Sequence, residues 1–152
     1  MEQRALASVR RFLLGVLLFG VAGMTVELVL IGHVDGALEL TPILLLLLGL
    51  FTLAWHAARP RAATVRSVEA VMALFVLSGV VGVMLHYSGN TAFELEMHPA
   101  ESGLALIRRA LTGATPVLAP GAMALLGLIG LAHTYDHPQR HGGPERKQED
   151  RQ

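Results

Sequence analysis

The chain contains no cysteine in 152 residues. That absence excludes disulfides, thiol redox chemistry, iron–sulfur clusters and cysteine-based zinc sites, and with them membrane redox enzymes that work through a CxxC pair. Aromatic residues are sparse, at 5%. Charged residues are absent from long stretches. Four apolar runs, over residues 12–32, 42–58, 70–87 and 114–133, contain a single Asp, Glu, Lys or Arg among them, Glu27. No segment carries the nucleophile, acid–base dyad or cofactor fingerprint of a named chemistry. The formal net charge is zero, so the total says little about partners, and no nucleic-acid partner is expected.

What remains is apolar: 53% of the residues are hydrophobic and the mean hydropathy is +0.52. Each run approaches the ~20 residues needed to cross a hydrocarbon core about 30 Å thick. The reading is an all-α membrane protein, with four transmembrane helices in an antiparallel bundle whose chief partner is the lipid bilayer. Arg4, Arg10 and Arg11 precede the first run as in a signal peptide, with small residues at Gly20 and Ala22. The run continues to Ile31, however, so the first helix is expected to be retained.

Ten of the twelve Lys and Arg residues lie before the first run, between the second and third, or after the fourth. By the positive-inside tendency both termini and the 59–69 link face the cytoplasm, in a membrane of prokaryotic plasma-membrane type. The opposite face is acidic. Thr41-Pro42 and Thr115-Pro116 each place an N-cap hydroxyl before a proline suited to the first helical position. Pro120 is expected to kink the fourth helix. Residues 98–113 read as a short outer interfacial helix, with Leu104, Ile107 and Leu111 at helical spacing. Residues 1–135 form the membrane domain, and 136–152, rich in charge, Pro and Gly, read as a disordered cytoplasmic tail.

Glu27 is the leading functional candidate, because a carboxylate within a spanning helix is costly and marks function by default. Gly23 and Gly20, four and seven residues before it, give a stripe for close helix packing, and Gly79 and Gly82 precede His86 in a matching stripe. Rises of 1.5 Å per residue put Glu27 and His86 at similar heights, so the two are expected to meet if helices one and three pack along their glycines. His33, Asp35, Glu94, Glu96 and His98 in the outer loops extend this polar cluster. An extended 93–98 segment would place Glu94, Glu96 and His98 on one edge.

Nitrogen and oxygen donors of this kind suit zinc, copper(II) or manganese, but no fixed ligand spacing appears and no metal site is assigned. Histidines near the helix ends, His33 and His86 on one side and His56 and His133 on the other, allow a haem reading. His133, His137 and His141 step by four, yet Pro138 and Gly142 argue against a helix there, and no metal site is expected in the tail. The cofactor is left open.

Three functions compete. One is a non-enzymatic accessory or interaction subunit, which binds other membrane proteins or a second copy of itself through the glycine stripes and acidic loops. A second is proton-coupled transport: one acidic residue on the first of four short helices is similar to the layout of the small multidrug resistance transporters, and that resemblance implies proton coupling at Glu27. The surrounding sequence departs from that family's motif, and the charge bias here is stronger. The third is a metal- or haem-binding membrane protein.

Overall fold

The computed structural model describes residues 2–34 and 36–141. Among these the chain is entirely helical: α1 (Glu2–Leu30), α2 (Ala37–Ala58), α3 (Ala62–Met97), α4 (Gly103–Leu111) and α5 (Gly121–Thr134), followed by a 3-10 turn over Pro138–His141. Helices α1, α2 and α3 are long and apolar enough to cross a membrane, and α5 is apolar but shorter. Phe12, Phe19, Leu30, Leu44, Phe51 and Leu77 all stand exposed along the three long helices. Apolar surface on this scale suits lipid and not water.

Helix ends follow local chemistry. α1 closes on a Schellman motif at Gly32, whose φ of +69° is left-handed. There the Gly32 N–H donates to the Val29 carbonyl at 3.1 Å and the His33 N–H to Leu28 at 3.0 Å; glycine meets the left-handed φ without a Cβ clash. The basic lead is helical, so Arg4, Arg10 and Arg11 ride on α1 itself.

α2 begins earlier than Thr41-Pro42 suggests. Gly36 is its N-cap and Pro42 lies inside the helix. The Thr41 hydroxyl donates back to the Ala37 carbonyl at 2.8 Å, where an N-cap side chain would have accepted from the backbone. α2 stops at Arg59, whose N–H reaches the Trp55 carbonyl at 2.9 Å, just before Pro60.

α3 runs well beyond residues 70–87. Its 36 residues span about 54 Å at 1.5 Å each. The hydroxyls of Ser88 and Thr91 bond back to the Met84 and Tyr87 carbonyls, both at 2.8 Å, and no proline intervenes before Pro99. The 93–97 stretch is therefore helical and not extended, and Glu94 and Glu96 lie about 200° apart around the axis. The expected opening of the last helix at Thr115-Pro116 is instead a series of turns, with Ala119 N–H to Pro116 O at 3.2 Å and Gly121 N–H to Leu118 O at 2.9 Å. Pro120 immediately precedes α5 and sets its start, where a kink was anticipated; a proline resists continuing a helix through itself.

The chain forms two compact units. The first comprises residues up to Phe75 and those from Leu126 onward. In it α1 packs on α2, and Leu17, Val21, Leu46, Leu53, Met72 and Phe75 are fully buried. Close approaches use small residues: the Phe75 ring covers Gly49, Met72 lies against Gly130, and Leu126 fills the space beside Gly20.

The second unit is Val76–Leu125. Gly79 faces the Ala124 backbone nitrogen and the Pro120 carbonyl, while Gly82 faces the Pro120 ring. Asn90, 4% exposed, donates to the Ala110 and Thr115 carbonyls at 2.9 and 2.8 Å and accepts from the Thr115 N–H at 3.2 Å. One amide side chain thus ties the end of α4 to the chain entering α5. The short helix expected over 98–113 is confined to α4. Leu104, Ile107 and Leu111 are exposed on it.

Candidate metal centre

The basic end of the first unit gathers three histidines from separate places in the chain. His56 occupies the last turn of α2 and His133 the last turn of α5. α5 then ends at Thr134, Asp136 takes a left-handed φ of 48°, and the 3-10 turn over 138–141 follows. This reversal folds His137 back against the other two. One ligand atom from each of the three lies within 4.8 Å of the others. The ring centroids stand 5.4 Å apart for His56 and His133, 5.2 Å for His56 and His137, and 6.0 Å for His133 and His137.

Those spacings are close to a coordination sphere. Around a tetrahedral ion with metal–nitrogen bonds of about 2.0–2.1 Å, ring centroids stand about 5 Å apart and the ligating nitrogens about 3.4 Å apart. Side-chain rotations would be needed to close the difference.

Hydrogen bonding fixes one ring in the tautomer a metal requires and accommodates the same tautomer in a second. His133 Nδ1 lies 3.1 Å from the Arg10 carbonyl, which can only accept, so Nδ1 carries the proton and Nε2 the lone pair. His56 Nδ1 lies 3.0 Å from the Thr64 hydroxyl. With that hydroxyl's single proton directed to the Arg59 or Arg61 carbonyl, it accepts from His56 Nδ1–H, the arrangement that leaves the lone pair on Nε2. An N–H held by an oxygen behind the ring is the usual outer-shell support of a metal-bound histidine.

His56 and His133 are 3% and 2% exposed. Among the described residues His133 Nε2 is the buried side-chain polar atom left without any partner. A buried lone pair without a donor is costly in a folded protein, and a cation between the three rings would satisfy it. His137, half-buried, accepts from the Gln139 N–H with Nδ1 at a long 3.3 Å; because this contact occupies the ring's single lone pair, it would have to give way for the ring to ligate. Burial, followed by the cost of placing a charge beside the His56 and His133 rings and the Arg10 guanidinium, pushes its pKa down to about 4. It is therefore neutral at pH 7, the form in which an imidazole ligates.

Comparison with known protein families, with characterised proteins and with solved structures returns no match.

Chemically, three neutral imidazoles with a fourth position open are the donor set of exchangeable or reactive zinc sites. A cleft of about 480 Å³ borders the cluster and is lined by Arg10, Arg11 and Gln139 as well as the three histidines. Arg10 is anchored there, its Nη2 donating to the Tyr135 and Asp136 carbonyls at 3.3 and 2.9 Å. The ion pair of Arg140 with Glu69, at 3.1 Å, further holds the segment that carries His137.

The candidates read from the sequence lie elsewhere. Glu27 is exposed on α1, and its carboxylate makes no hydrogen bond or ion pair among the described residues. His33 sits in the turn after α1, half-buried, and Asp35 lies outside the described residues. His86 belongs to the second unit and donates from Nδ1 to the Pro116 carbonyl at 3.1 Å. Glu94 approaches Arg109 at 3.9 Å, and Glu101 holds the same guanidinium at 2.9 Å. Glu96 and His98 are exposed. Of the glycines, Gly20, Gly79 and Gly82 have close neighbours, while Gly23 has open space around it.

No metal site was anticipated in the tail, because a helix through Pro138 would have been needed to align its histidines. A turn, and not a helix, brings His137 beside His56 and His133 from two other helices. The signal available in the sequence was that His56, His133 and His137 all fall at run ends assigned to one side of the membrane.

Proposed function

We propose that this chain is an integral membrane protein that binds a divalent transition-metal ion through His56, His133 and His137. The positive-inside distribution of Lys and Arg supports both termini, and hence this site, facing the cytoplasm. A fourth crossing is part of this reading: α5 is apolar over 14 residues, and the turns over 116–120 that lead into it add to the length available to cross a hydrocarbon core. Imidazole donors without thiolate favour zinc, copper(II) or nickel(II) over magnesium or calcium. The observation that carries the reading is the partnerless buried Nε2 of His133 beside two more imidazoles. Haem is less well suited, since His56 and His133 meet edge to face at 5.4 Å and leave no slot for a macrocycle between them.

The test is metal analysis of the full chain purified in mild detergent without a polyhistidine tag. Near-stoichiometric metal is expected in the wild type and background in His133→Ala, with helical content unchanged in both. Equal metal in the two would refute the assignment.

A second reading, an interaction surface for another membrane helix or a second copy, rests on α1. Gly15, Phe19, Gly23 and Glu27 recur every fourth residue and all are exposed, and nothing lies within 4 Å of a Cβ built at Gly15 or Gly23. A partner helix packed there would shield the Glu27 carboxylate from lipid. Gly23→Leu is expected to abolish cross-linking or co-purification if that face is occupied, and unchanged association would remove this reading.

A further inference from the structure

We infer that the cleft beside the three histidines receives an oxyanion, a phosphate or carboxylate group that completes the coordination of the bound metal while Arg10 and Arg11 neutralise it. The inference deepens the metal-binding reading and rests on it.

Charge is the first argument. Three neutral imidazoles bring no negative charge to a divalent ion, and among the described residues no Asp or Glu lines the cleft, whereas Arg10 and Arg11 both do. Metal and guanidinium groups together would concentrate like charge at one partly buried place, where repulsion is poorly screened. An anion bridging metal and arginine removes that repulsion. Neutral water does not.

Geometry is the second. Arg10 cannot simply swing away from the ion, because its Nη2 is held by the Tyr135 and Asp136 carbonyls and its own carbonyl accepts from His133 Nδ1. The same residue therefore orients a metal ligand and presents a guanidinium to the cleft. Its Nε and Nη1 make no hydrogen bond among the described residues, and the forked donor set of arginine matches a phosphate or carboxylate. Arg11 is exposed, makes no such bond either, and adds a second cation at the mouth. The cleft, at about 480 Å³, holds far more than one water of about 30 Å³. Gln139 supplies a neutral amide at the wall.

The oxyanion has two possible sources, a soluble phosphate-bearing or carboxylate-bearing molecule and the headgroup of an anionic phospholipid. The experiment separates them. The full chain in neutral detergent is loaded with cobalt(II), whose visible absorption reports the ligand in the open position. It is then titrated with inorganic phosphate, and in parallel reconstituted into phosphatidylcholine vesicles with or without phosphatidic acid.

A saturable change in the cobalt spectrum is expected with one of these probes: with phosphate if the ligand is soluble, and with phosphatidic acid alone if it is a lipid headgroup. Arg11→Gln is expected to weaken the effective probe at least tenfold while leaving cobalt affinity in anion-free buffer unchanged or higher. Arg10→Lys, which keeps the charge but loses the fork, is expected to weaken it as well. A cobalt band that responds to neither probe, or a response that Arg11→Gln leaves intact, would overturn the inference and spare the metal site. Absence of any cobalt band would remove both.

Discussion

The threonine behind His56 offers a matched test of how the centre is organised. Thr64 is fully buried; its hydroxyl accepts from His56 Nδ1–H at 3.0 Å and from the Arg61 N–H at 3.1 Å. Thr64→Val keeps the shape and deletes the acceptor. His56 then loses the bond that orients its ring and accommodates this tautomer, and its Nε2 lone pair is no longer held toward the other two histidines. Loss of such an outer-shell partner costs about 10–100-fold in metal affinity, or roughly 1.4–2.7 kcal/mol, and a buried donor left unpaired costs the fold about 1–3 kcal/mol.

Thr134→Val is the control. Thr134 is equally buried and adjoins His133, but its hydroxyl only bonds back to the Gly130 and Leu131 carbonyls of its own helix. Competition titration against a zinc indicator in detergent should give the large loss for Thr64→Val and less than about threefold for Thr134→Val. Equal affinities in the two variants would refute the outer-shell role of Thr64.

Two further outcomes follow from packing and charge. In metal-free protein the docking of the His137 segment should weaken as pH falls. The folded-state pKa is about 4 against an ordinary 6.5, so both states are neutral above 6.5 and docking is at full strength, whereas between 6.5 and 4 the undocked segment gains a proton that the docked one refuses. The loss is at most about 3 kcal/mol and should appear as faster hydrogen exchange over residues 135–141 at pH 5 than at pH 7.5, after correction for intrinsic rates; constant protection would contradict it. Among the glycines, Gly79→Val should destabilise the protein by about 1–3 kcal/mol or more, because a Cβ there meets the Ala124 backbone nitrogen at 2.6 Å and the Pro120 carbonyl at 2.8 Å, neither of which can rotate away. Gly23→Ala, with open space, should be neutral or stabilising by up to about 1 kcal/mol in the monomer. Thermal melts in detergent that ranked the two the other way would count against the described packing.

The long apolar helices were legible because lipid selects for length and hydropathy, and both are written directly in residues 12–32, 42–58 and 70–87. Their ends were less so. Thr41-Pro42 has the composition of a cap, but Gly36 already starts the helix a turn earlier. The alternation over 93–98 suggests an extended edge, yet α3 carries on through it because nothing before Pro99 breaks the backbone ladder. Pro120 reads in the sequence as a kink one turn inside a helix, whereas α5 begins only after it.

The three-histidine cluster was the least legible part. His56 and His133 could be placed at helix ends on one side, but their convergence with His137 depends on a left-handed residue at Asp136 and a 3-10 turn. Neither follows from periodicity. The supporting oxygens are equally silent in sequence, since one is the Arg10 backbone carbonyl, 123 residues away from the ring it orients.

The central claim is most directly tested by X-ray absorption at the metal edge of the zinc-loaded full chain. The account predicts three imidazole scatterers with nitrogen at about 2.0–2.1 Å and one further light atom, and one imidazole fewer in His133→Ala. A spectrum of hydrated zinc, or one that His133→Ala leaves unaltered, would contradict it.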